Sequence, residues 1–406
     1  MARSYEIKKV EVVEDPVFLR VVKLSVLDKN IDRFVRSVDR YTYRRTLDQS
    51  LSEFDSLINE IYIRIDLDTL RKIDNDPDAQ KKFIQNNVHF LDCADLINIF
   101  FLKIVIKEKE KLNDQDIEYI NSLLLYQLND IYVVPILEFE GEIDKPTRVL
   151  MYNEFVEKLL EAKNTVNPNL RVGISVPSYY PRRKIDILFS LYGEENKEPT
   201  FVAVDFAYQR ATDPSRMGIL PTINSYFLKD GNYNYFIYGF NVKPYKKGER
   251  LPLSEEFMLI ESGFNAVGTA YRNTDVRVVI TPRSWDHLNK IFNEDDYRYH
   301  PLSEEDKRQH LEEWLQEFLK FDVNLNSVRS TVNRYVRQYN FYTLNEEFAH
   351  ISKAIWNSEL DELTNRLLGK EVTALASDVA RRLSKVQKDM KDKKGDSSVT
   401  LDRFFN

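Results

Sequence analysis

The sequence is poor in the residues that build disulfide-linked or metal-centred proteins. Cys93 is its single cysteine, which excludes a disulfide framework and a zinc site made of several cysteines. Its five histidines stand at scattered positions and do not suggest a histidine-rich metal centre. We therefore expect no metal and no other cofactor.

Long apolar runs and an excess of positive charge are missing too. No run approaches the roughly 20 apolar residues that cross a bilayer, and the N-terminus has no signal-peptide core, so we expect a cytoplasmic protein with no membrane partner. Lys+Arg 58 against Asp+Glu 65 give a formal net charge of -7. Binding to nucleic acid would therefore need a local basic patch. A low glycine content and 30% charged residues are compatible with a thermophile.

What the sequence does have is an alternation of apolar runs and amphipathic segments. The clearest unit lies at 170–210, where the apolar runs RVGISVP and TFVAVDFAY flank a segment with helical spacing. In that segment Ile185, Leu188 and Phe189 fall on one helix face. Runs that are apolar on both faces are typical of buried parallel strands, so the unit is predicted as β-α-β. Asp205 stands where its second strand ends.

Eight apolar runs are predicted as strands, with helices between them. The first run is followed by a predicted polar, Arg-rich helix through Asp48, and a later helix at 113–128 has Asn113 as its N-cap. This alternation predicts an α/β fold, a (β/α)8 TIM-like barrel over 1–285. The predicted strands are 19–26, 60–66, 90–106, 131–139, 171–177, 200–208, 234–242 and 264–271.

The pattern changes after Pro282. Residues 286–390 are predicted as a helical appendage, whose aromatic side chains, Trp314 and Phe348 among them, pack against the barrel. Residues 391–406 are polar and charged at their start and are predicted as a disordered tail.

The tail ends in SVTLDRFFN, which has the spacing of the peptide that binds the DNA sliding clamp (PCNA), Q-x-x-[LIM]-x-x-F-F. Two phenylalanines at a disordered end are costly to expose unless a partner covers them, so we expect the clamp as a partner. Serine in place of the motif's glutamine predicts weaker binding. The alternative is that the phenylalanines fold back onto the parent domain. The four motif positions are Ser398, Leu401, Phe404 and Phe405.

Basic and aromatic residues interleave in the segments that follow predicted strands. In a barrel these segments form the functional rim, and rings beside cations suit a flipped or single-stranded base. The alternative is a solvated charged face. The set comprises Tyr179, Tyr180, Arg182, Arg183, Lys184, Tyr208, Arg210, Arg216, Lys243, Lys246, Lys247, Tyr271 and Arg272.

Three motifs occur in a fixed order along the chain: LDCADL at 91–96, GISVPS at 173–178 and GFNAVG at 263–268. They resemble the T-D-S-G-G-F, G-I-V-Q-G-G and G-V-D-x-F-D motifs of the tRNA-guanine transglycosylase superfamily and its DNA-acting phage and archaeal relatives. The resemblance covers roughly residues 91–363. It implies base exchange through a carboxylate that attacks the sugar, and it places the family's general acid/base on Asp92. A turn residue before a strand is the alternative for Asp92.

The sequence also departs from this family. The nucleophilic aspartate falls on Gly268, the base-reading glutamine falls on Val176, and the cysteine-rich zinc site is missing. Asp205 is the nearest substitute for the nucleophile, and Glu138, at the end of the fourth predicted strand, is a second carboxylate at the mouth. The alternative for Asp205 is a helix cap near Pro214. Since the clamp encircles DNA, we expect guanine or 7-deazaguanine exchange in DNA rather than in tRNA.

Two other functions fit parts of the sequence. In a PD-(D/E)XK nuclease, Glu154, Asp186 and Asp205 would bind Mg2+, and KIDILFSLYG would be a strand. Against this, the position of the catalytic lysine holds Ala207. The third possibility is a non-catalytic, clamp-bound DNA-binding protein. Two observations together separate these hypotheses: whether KIDILF is a helix or a strand, and which side chains line the mouth of the barrel.

Overall fold

The computed structural model describes residues 5–14, 17–38, 57–88, 96–126, 129–192, 201–228, 232–246, 248–271, 289–319 and 332–381. Within these residues the part up to Asp66 contains only strands, strands and helices alternate from there to Val267, and the C-terminal part is mostly helical. The strands are β1 (Tyr5–Val13), β2 (Leu19–Val26), β3 (Lys29–Ile31), β4 (Val35–Arg36), β5 (Ile58–Asp66), β6 (Ile97–Ile106), β7 (Ile136–Phe139), β8 (Ile174–Val176), β9 (Phe201–Asp205), β10 (Phe236–Phe240), β11 (Ala266–Val267), β12 (Lys290–Asn293) and β13 (Arg298–Pro301). The helices are α1 (Leu67–Asn75), α2 (Pro77–Val88), α3 (Asp114–Leu124), α4 (Lys145–Val166), α5 (Ile185–Ser190), α6 (Pro214–Met217), α7 (Ile219–Leu228), α8 (Glu255–Ile260), α9 (Glu305–Leu319), α10 (Val332–Trp356) and α11 (Leu360–Leu367).

The mixed α/β class is confirmed. Among the described residues, eight strands form two parallel sheets, one of order β5-β6-β7 and one of order β4-β11-β10-β9-β8. Backbone hydrogen bonds connect the two sheets at both of their edges. At one edge the N–H of Val38 donates to the carbonyl of Ile58 at 2.8 Å, and at the other the N–H of Gly173 donates to the carbonyl of Tyr132 at 2.7 Å. Single parallel bridges accompany both contacts.

The predicted β-α-β unit is confirmed. Ile174 of β8 pairs in parallel with Val202 of β9, and α5 lies between the two strands in the chain. Its Ile185, Leu188 and Phe189 are buried, as their helical spacing predicts. The helix predicted at 113–128 is α3, and Asn113 caps it through a capping box with Asp116.

The side chains of the parallel strands divide between two apolar clusters. Along β6, Ile99 and Phe101 belong to a cluster made mostly of strand residues, which we call the strand cluster. Phe100 and Leu102 point the other way, into a cluster shared with the helices, which we call the helix cluster. This division follows from the two-residue period of a strand. Because both faces are covered, β6 is buried over its whole length.

The first predicted strand is confirmed as a strand, but its predicted place among the parallel strands is wrong. Residues 19–26 form β2, which pairs antiparallel with β1 and β3 and belongs to neither parallel sheet. Leu19 packs in the helix cluster and Leu24 in the strand cluster, so β2 is covered on both faces and resembles a buried parallel strand in sequence. The Arg-rich helix predicted to follow it is not found at 29–31 and 35–36, which form β3 and β4. Residues 39–48 lie outside the described residues.

The predicted helical appendage at 286–390 needs a second correction. It begins with the antiparallel hairpin β12–β13 before α9, α10, α11 and a further helical segment at 371–381. The apolar part of β12 is too short to be told from a helix by periodicity.

Helix α10 contacts the parallel strands through Asn345. This side chain accepts a hydrogen bond from the backbone N–H of Arg36 at 3.0 Å and donates one to its carbonyl at 3.1 Å. No helix in the described part of the chain is both long and apolar enough to span a membrane.

Candidate functional site at the carboxyl ends of the parallel strands

Asp205 is the last residue of β9 and is 1% exposed. Phe201 and Ala203 belong to the strand cluster, so the two-residue period places Asp205 on the same face. One carboxylate oxygen lies 3.0 Å from Nζ of Lys103, and the other accepts from the backbone N–H of Ala207 at 2.8 Å. Asp205 does not cap the helix that begins at Pro214, because the N-cap position belongs to Asp213.

Lys103 lies on β6, two residues beyond Phe101 on the same strand face, and is 7% exposed. Besides Asp205 it contacts Glu138, whose Oε2 lies 3.7 Å from its Nζ. Burial alone would lower the pKa of Lys103, but the negative charges around it outweigh burial and the pKa is raised. The ammonium therefore stays charged between two carboxylates.

Glu138 belongs to β7 and also contacts Arg64. We call the four side chains Asp205, Lys103, Glu138 and Arg64 the charged cluster. The guanidinium donates two hydrogen bonds to Glu138, of 3.2 and 2.9 Å, and a third to Glu140 at 2.9 Å. Burial raises the pKa of Glu138, but Arg64 and Lys103 more than offset this and lower it. The two carboxylates that the sequence suggested thus meet at one lysine.

Sequence reasoning missed Lys103 and Arg64, although a signal was present for Lys103. Lys103 is the one charged residue in the apolar run INIFFLKIVI. A charge inside a run that is buried on both faces needs a partner of opposite sign, so it predicts a carboxylate on a neighbouring strand. Arg64 is paired in register with Lys103, but it stands at an exposed position of β5, where a charge needs no buried partner.

Aromatic side chains and left-handed backbone surround the charged cluster. Tyr62 stacks on Tyr271 with ring centres 4.1 Å apart, and burial raises the pKa of Tyr62 to about 12. Asn241 follows β10 with a φ of 57°, and its side chain accepts from the backbone N–H of Tyr271 at 2.9 Å. Ala207 and Tyr208, after β9, have φ values of 49° and 60°. Such strained backbone clusters at binding and catalytic sites.

Gly268, where the family resemblance places the nucleophile, faces another carboxylate. A Cβ at Gly268 would lie 1.9 Å from Oε2 of Glu60 and 2.8 Å from the hydroxyl of Tyr238. Glu60 is 2% exposed and accepts hydrogen bonds from Tyr238 and from Ser37, the latter at 3.3 Å. A side chain at position 268 would therefore have to displace this carboxylate.

The predicted nucleic-acid residues divide into buried and accessible ones. Tyr180 is 4% exposed and donates its hydroxyl hydrogen bond to Asn153 at 3.0 Å. It is a core residue, so its predicted role as a stacking surface was wrong. Arg216 is also buried, and it donates to the Ser178 carbonyl at 2.9 Å and to Gln209 at 2.7 Å.

The other basic residues of this set that the structure describes are at least partly accessible. Arg182, Arg183 and Lys184 form a short 3-10 turn before α5, and the two arginines are exposed. Nζ of Lys243 lies 5.9 Å from the centre of the Tyr208 ring. Arg210 pairs with Asp213 at 2.5 Å and lies 3.9 Å from Glu255. Asp92, Lys247, Arg272 and the four clamp-motif positions, Ser398, Leu401, Phe404 and Phe405, lie outside the described residues.

The structure does not fit the nuclease hypothesis. KIDILF is helical as α5, not a strand. Glu154 and Asp186 are exposed, whereas Asp205 is buried against Lys103. The described residues hold no group of three His, Cys, Asp or Glu side chains arranged to bind a metal ion.

Neither a protein-family model nor a curated protein matches the sequence.

Proposed function

We propose that the eight parallel strands form a (β/α)8 barrel with the charged cluster at its mouth. The strand pairings support this, because each strand has a parallel neighbour on both sides once the contacts of Val38 and Gly173 are included. The division into a strand cluster and a helix cluster is the one expected for a barrel interior and its outer layer. Asp205, Lys103 and Glu138 all lie toward the carboxyl ends of their strands, where barrel enzymes carry their active sites.

We propose that this site exchanges bases in DNA by glycosyl transfer. The observation that carries the proposal is the meeting of Asp205 and Glu138 at Nζ of Lys103, at 3.0 and 3.7 Å. Two oxygens that contact the same nitrogen can be no farther apart than the sum of their distances to it. This upper limit falls within the range of about 5 to 9 Å that separates the carboxylate pairs of glycosidic-bond chemistry.

The residues can be assigned to two half-reactions. In the first, a carboxylate oxygen of Asp205 bonds to the sugar anomeric carbon, and the bond from that carbon to the departing base breaks. The base leaves with the bonding electron pair and takes a proton from the hydroxyl of Tyr62, which is protonated at neutral pH. Lys103 can release Asp205 for this attack because it also contacts Glu138.

In the second half-reaction the incoming base attacks the same carbon and the Asp205 carboxylate is released. The incoming base gives up its proton to Glu138, which Arg64 and Lys103 hold in the ionised form. Transfer of that proton from Glu138 to Tyr62 restores the starting state. No cofactor is needed for this cycle.

We propose that DNA reaches the site with the help of the sliding clamp. The chain is acidic overall, so its affinity for DNA depends on local patches such as the turn at Arg182–Lys184. The motif that ends in Phe404 and Phe405 supports recruitment by PCNA, which would compensate for weak binding to DNA.

The test is incorporation of radiolabelled guanine, or of a 7-deazaguanine, into DNA and into tRNA. We expect incorporation into DNA with the parent protein and a loss of several orders of magnitude with Asp205→Asn, which keeps the shape but removes the nucleophile. Asp186→Asn is the matched control, because this aspartate is exposed on α5. A parent protein that incorporates neither base would contradict the proposal and favour the non-catalytic hypothesis.

A further inference from the structure

Tyr179 follows β8 and belongs to the predicted nucleic-acid set, but the proposed reaction does not use it. Strand β8 pairs in parallel with β9 on one side. On the other side Gly173, just before β8, forms a parallel bridge with Val133, shortly before β7. The carboxyl end of β8 is therefore flanked by the two strands that carry Asp205 and Glu138, the carboxylates of the charged cluster.

The hydroxyl oxygen of Tyr179 is buried and has no hydrogen-bond partner among the residues that the structure describes. Two neighbouring tyrosines differ in this respect. Tyr152, whose ring centre lies 6.3 Å from that of Tyr179, donates to the carbonyl of Ser175 at 2.9 Å. Tyr180, the next residue, donates to Asn153 at 3.0 Å. Buried polar groups are nearly always paired, because an unpaired one loses its hydrogen bonds to water without replacement. A phenylalanine would avoid this cost, so folding does not explain the hydroxyl at position 179.

Contacts on both sides hold Tyr179 in place. The carbonyl of Ser178 accepts a hydrogen bond from the buried guanidinium of Arg216 at 2.9 Å, which fixes the backbone next to it. The ring of Tyr179 contacts Phe139 edge-on, with ring centres 5.6 Å apart, and Phe139 directly follows Glu138 in β7. A side chain held in this way is preorganised, so less conformational entropy is lost when a ligand binds to it.

The surroundings of the hydroxyl determine which ligand atom suits it. Burial raises the pKa of Tyr179 well above its usual range, and Tyr152 and the carboxylate of Asp205 add to this effect. An anionic ligand group at the hydroxyl would be repelled by the same carboxylate. A neutral acceptor, such as a carbonyl oxygen or a ring nitrogen, would not be. The adjacent rings of Phe139 and Tyr152 favour a heterocyclic base over a sugar, because aromatic walls with few polar groups suit flat, weakly polar ligands.

We infer that the hydroxyl of Tyr179 donates a hydrogen bond to a neutral acceptor of the base that binds beside the charged cluster. This inference rests on the proposed base exchange and adds a residue that determines its specificity. The bound base would supply the partner that the hydroxyl lacks in the free protein. A base without an acceptor at that point would leave the hydroxyl unpaired and would bind more weakly.

The test measures the binding of 2′-deoxyguanosine to the full chain by ligand-observed NMR titration. We expect Tyr179→Phe to bind the nucleoside about tenfold more weakly than the parent, because an acceptor of the bound base loses its donor. Tyr180→Phe is the matched control. It removes a hydroxyl that already has a partner within the protein, so it should bind the nucleoside as the parent does.

Urea denaturation without ligand separates a role in binding from a role in folding. Tyr179→Phe should be at least as stable as the parent, because the hydroxyl that it removes has no partner in the described part of the chain. Tyr180→Phe should raise the unfolding equilibrium constant about fivefold, which is the effect of losing one ordinary hydrogen bond.

Three results would overturn the inference: no binding of 2′-deoxyguanosine by the parent, equal affinity of the parent and Tyr179→Phe, or a loss of stability in Tyr179→Phe as large as in Tyr180→Phe. Binding of 2-deoxyribose that Tyr179→Phe weakens to the same extent would also overturn it, by assigning the hydroxyl to the sugar. Nucleoside binding that depends on Tyr179 in a protein without base exchange would reject the proposed chemistry and keep the inference. Base exchange by Tyr179→Phe with the kcat/KM of the parent would do the reverse.

Discussion

Glu261 offers a direct test of how this fold tolerates a buried carboxyl group. It follows α8 as the C-cap, is fully buried, and accepts a hydrogen bond from Thr373 at 2.9 Å. Burial raises its pKa from the ordinary 4.5 to about 8, despite opposing effects of Thr373 and Lys370. In the folded protein the group therefore stays protonated at neutral pH, whereas in the unfolded chain it is ionised.

The expected effect on stability follows from this difference in proton binding. Between pH 4.5 and about 8 the folded state holds a proton that the unfolded state has released. The free energy of unfolding therefore falls by about 1.4 kcal/mol for each pH unit in this range and levels off above it. From pH 5.5 to pH 8 the loss due to Glu261 amounts to about 3 kcal/mol. Glu261→Gln has a similar shape and no titration, so it should not show this loss.

Urea denaturation of the parent and of Glu261→Gln, measured from pH 5.5 to pH 9, provides the comparison. Other titrating groups act equally in both proteins, so the difference between the two unfolding free energies isolates Glu261. We expect the variant to gain stability over the parent as pH rises, up to about pH 8, with a constant difference above that. Parallel curves across the whole range would refute a buried, protonated Glu261.

Three further predictions concern the site and the tail. Phe404→Ala with Phe405→Ala should abolish binding to the sliding clamp in calorimetry and leave the melting temperature unchanged; binding by this variant would reject the motif. Lys103→Met leaves the carboxylate of Asp205 buried without its cation, so urea denaturation should show a loss of about 3 to 5 kcal/mol, most of which Asp205→Asn should restore in the double variant. Gly268→Ala should lower the melting temperature, because its Cβ would displace the adjacent buried glutamate carboxylate; an unchanged value would show that this carboxylate can move freely.

The sequence was most informative where a segment has one environment along its length. The β8–α5–β9 unit was predictable because both strands are apolar on both faces and the helix shows one apolar stripe. Asp205 and Glu138 were predictable as strand-end carboxylates because a parallel arrangement brings strand ends to one edge. Their shared contact with Lys103 depends on the register between strands that are far apart in sequence. Local sequence patterns do not determine that register.

The errors came from segments whose environment is set by distant parts of the chain. Strand β2 looks like a parallel strand because α/β packing covers both of its faces, although its partners are antiparallel neighbours. The hairpin β12–β13 escaped notice because strands of four residues leave too little pattern. Tyr180 follows a predicted strand and was expected to be accessible, but packing against Tyr152 buries it.

The position of the charged cluster is itself an argument for function. Deeper on the same faces of their strands, Ile99, Phe101 and Ala203 make an apolar interior. Replacing the buried pair Lys103–Asp205 with apolar residues of similar size would in general be neutral or stabilising, since removing two charges from water is costly. Folding alone therefore gives no reason to place that pair next to this apolar interior. Its location at the carboxyl ends, beside strained loops and stacked tyrosines, is the arrangement expected if the charges serve a reaction.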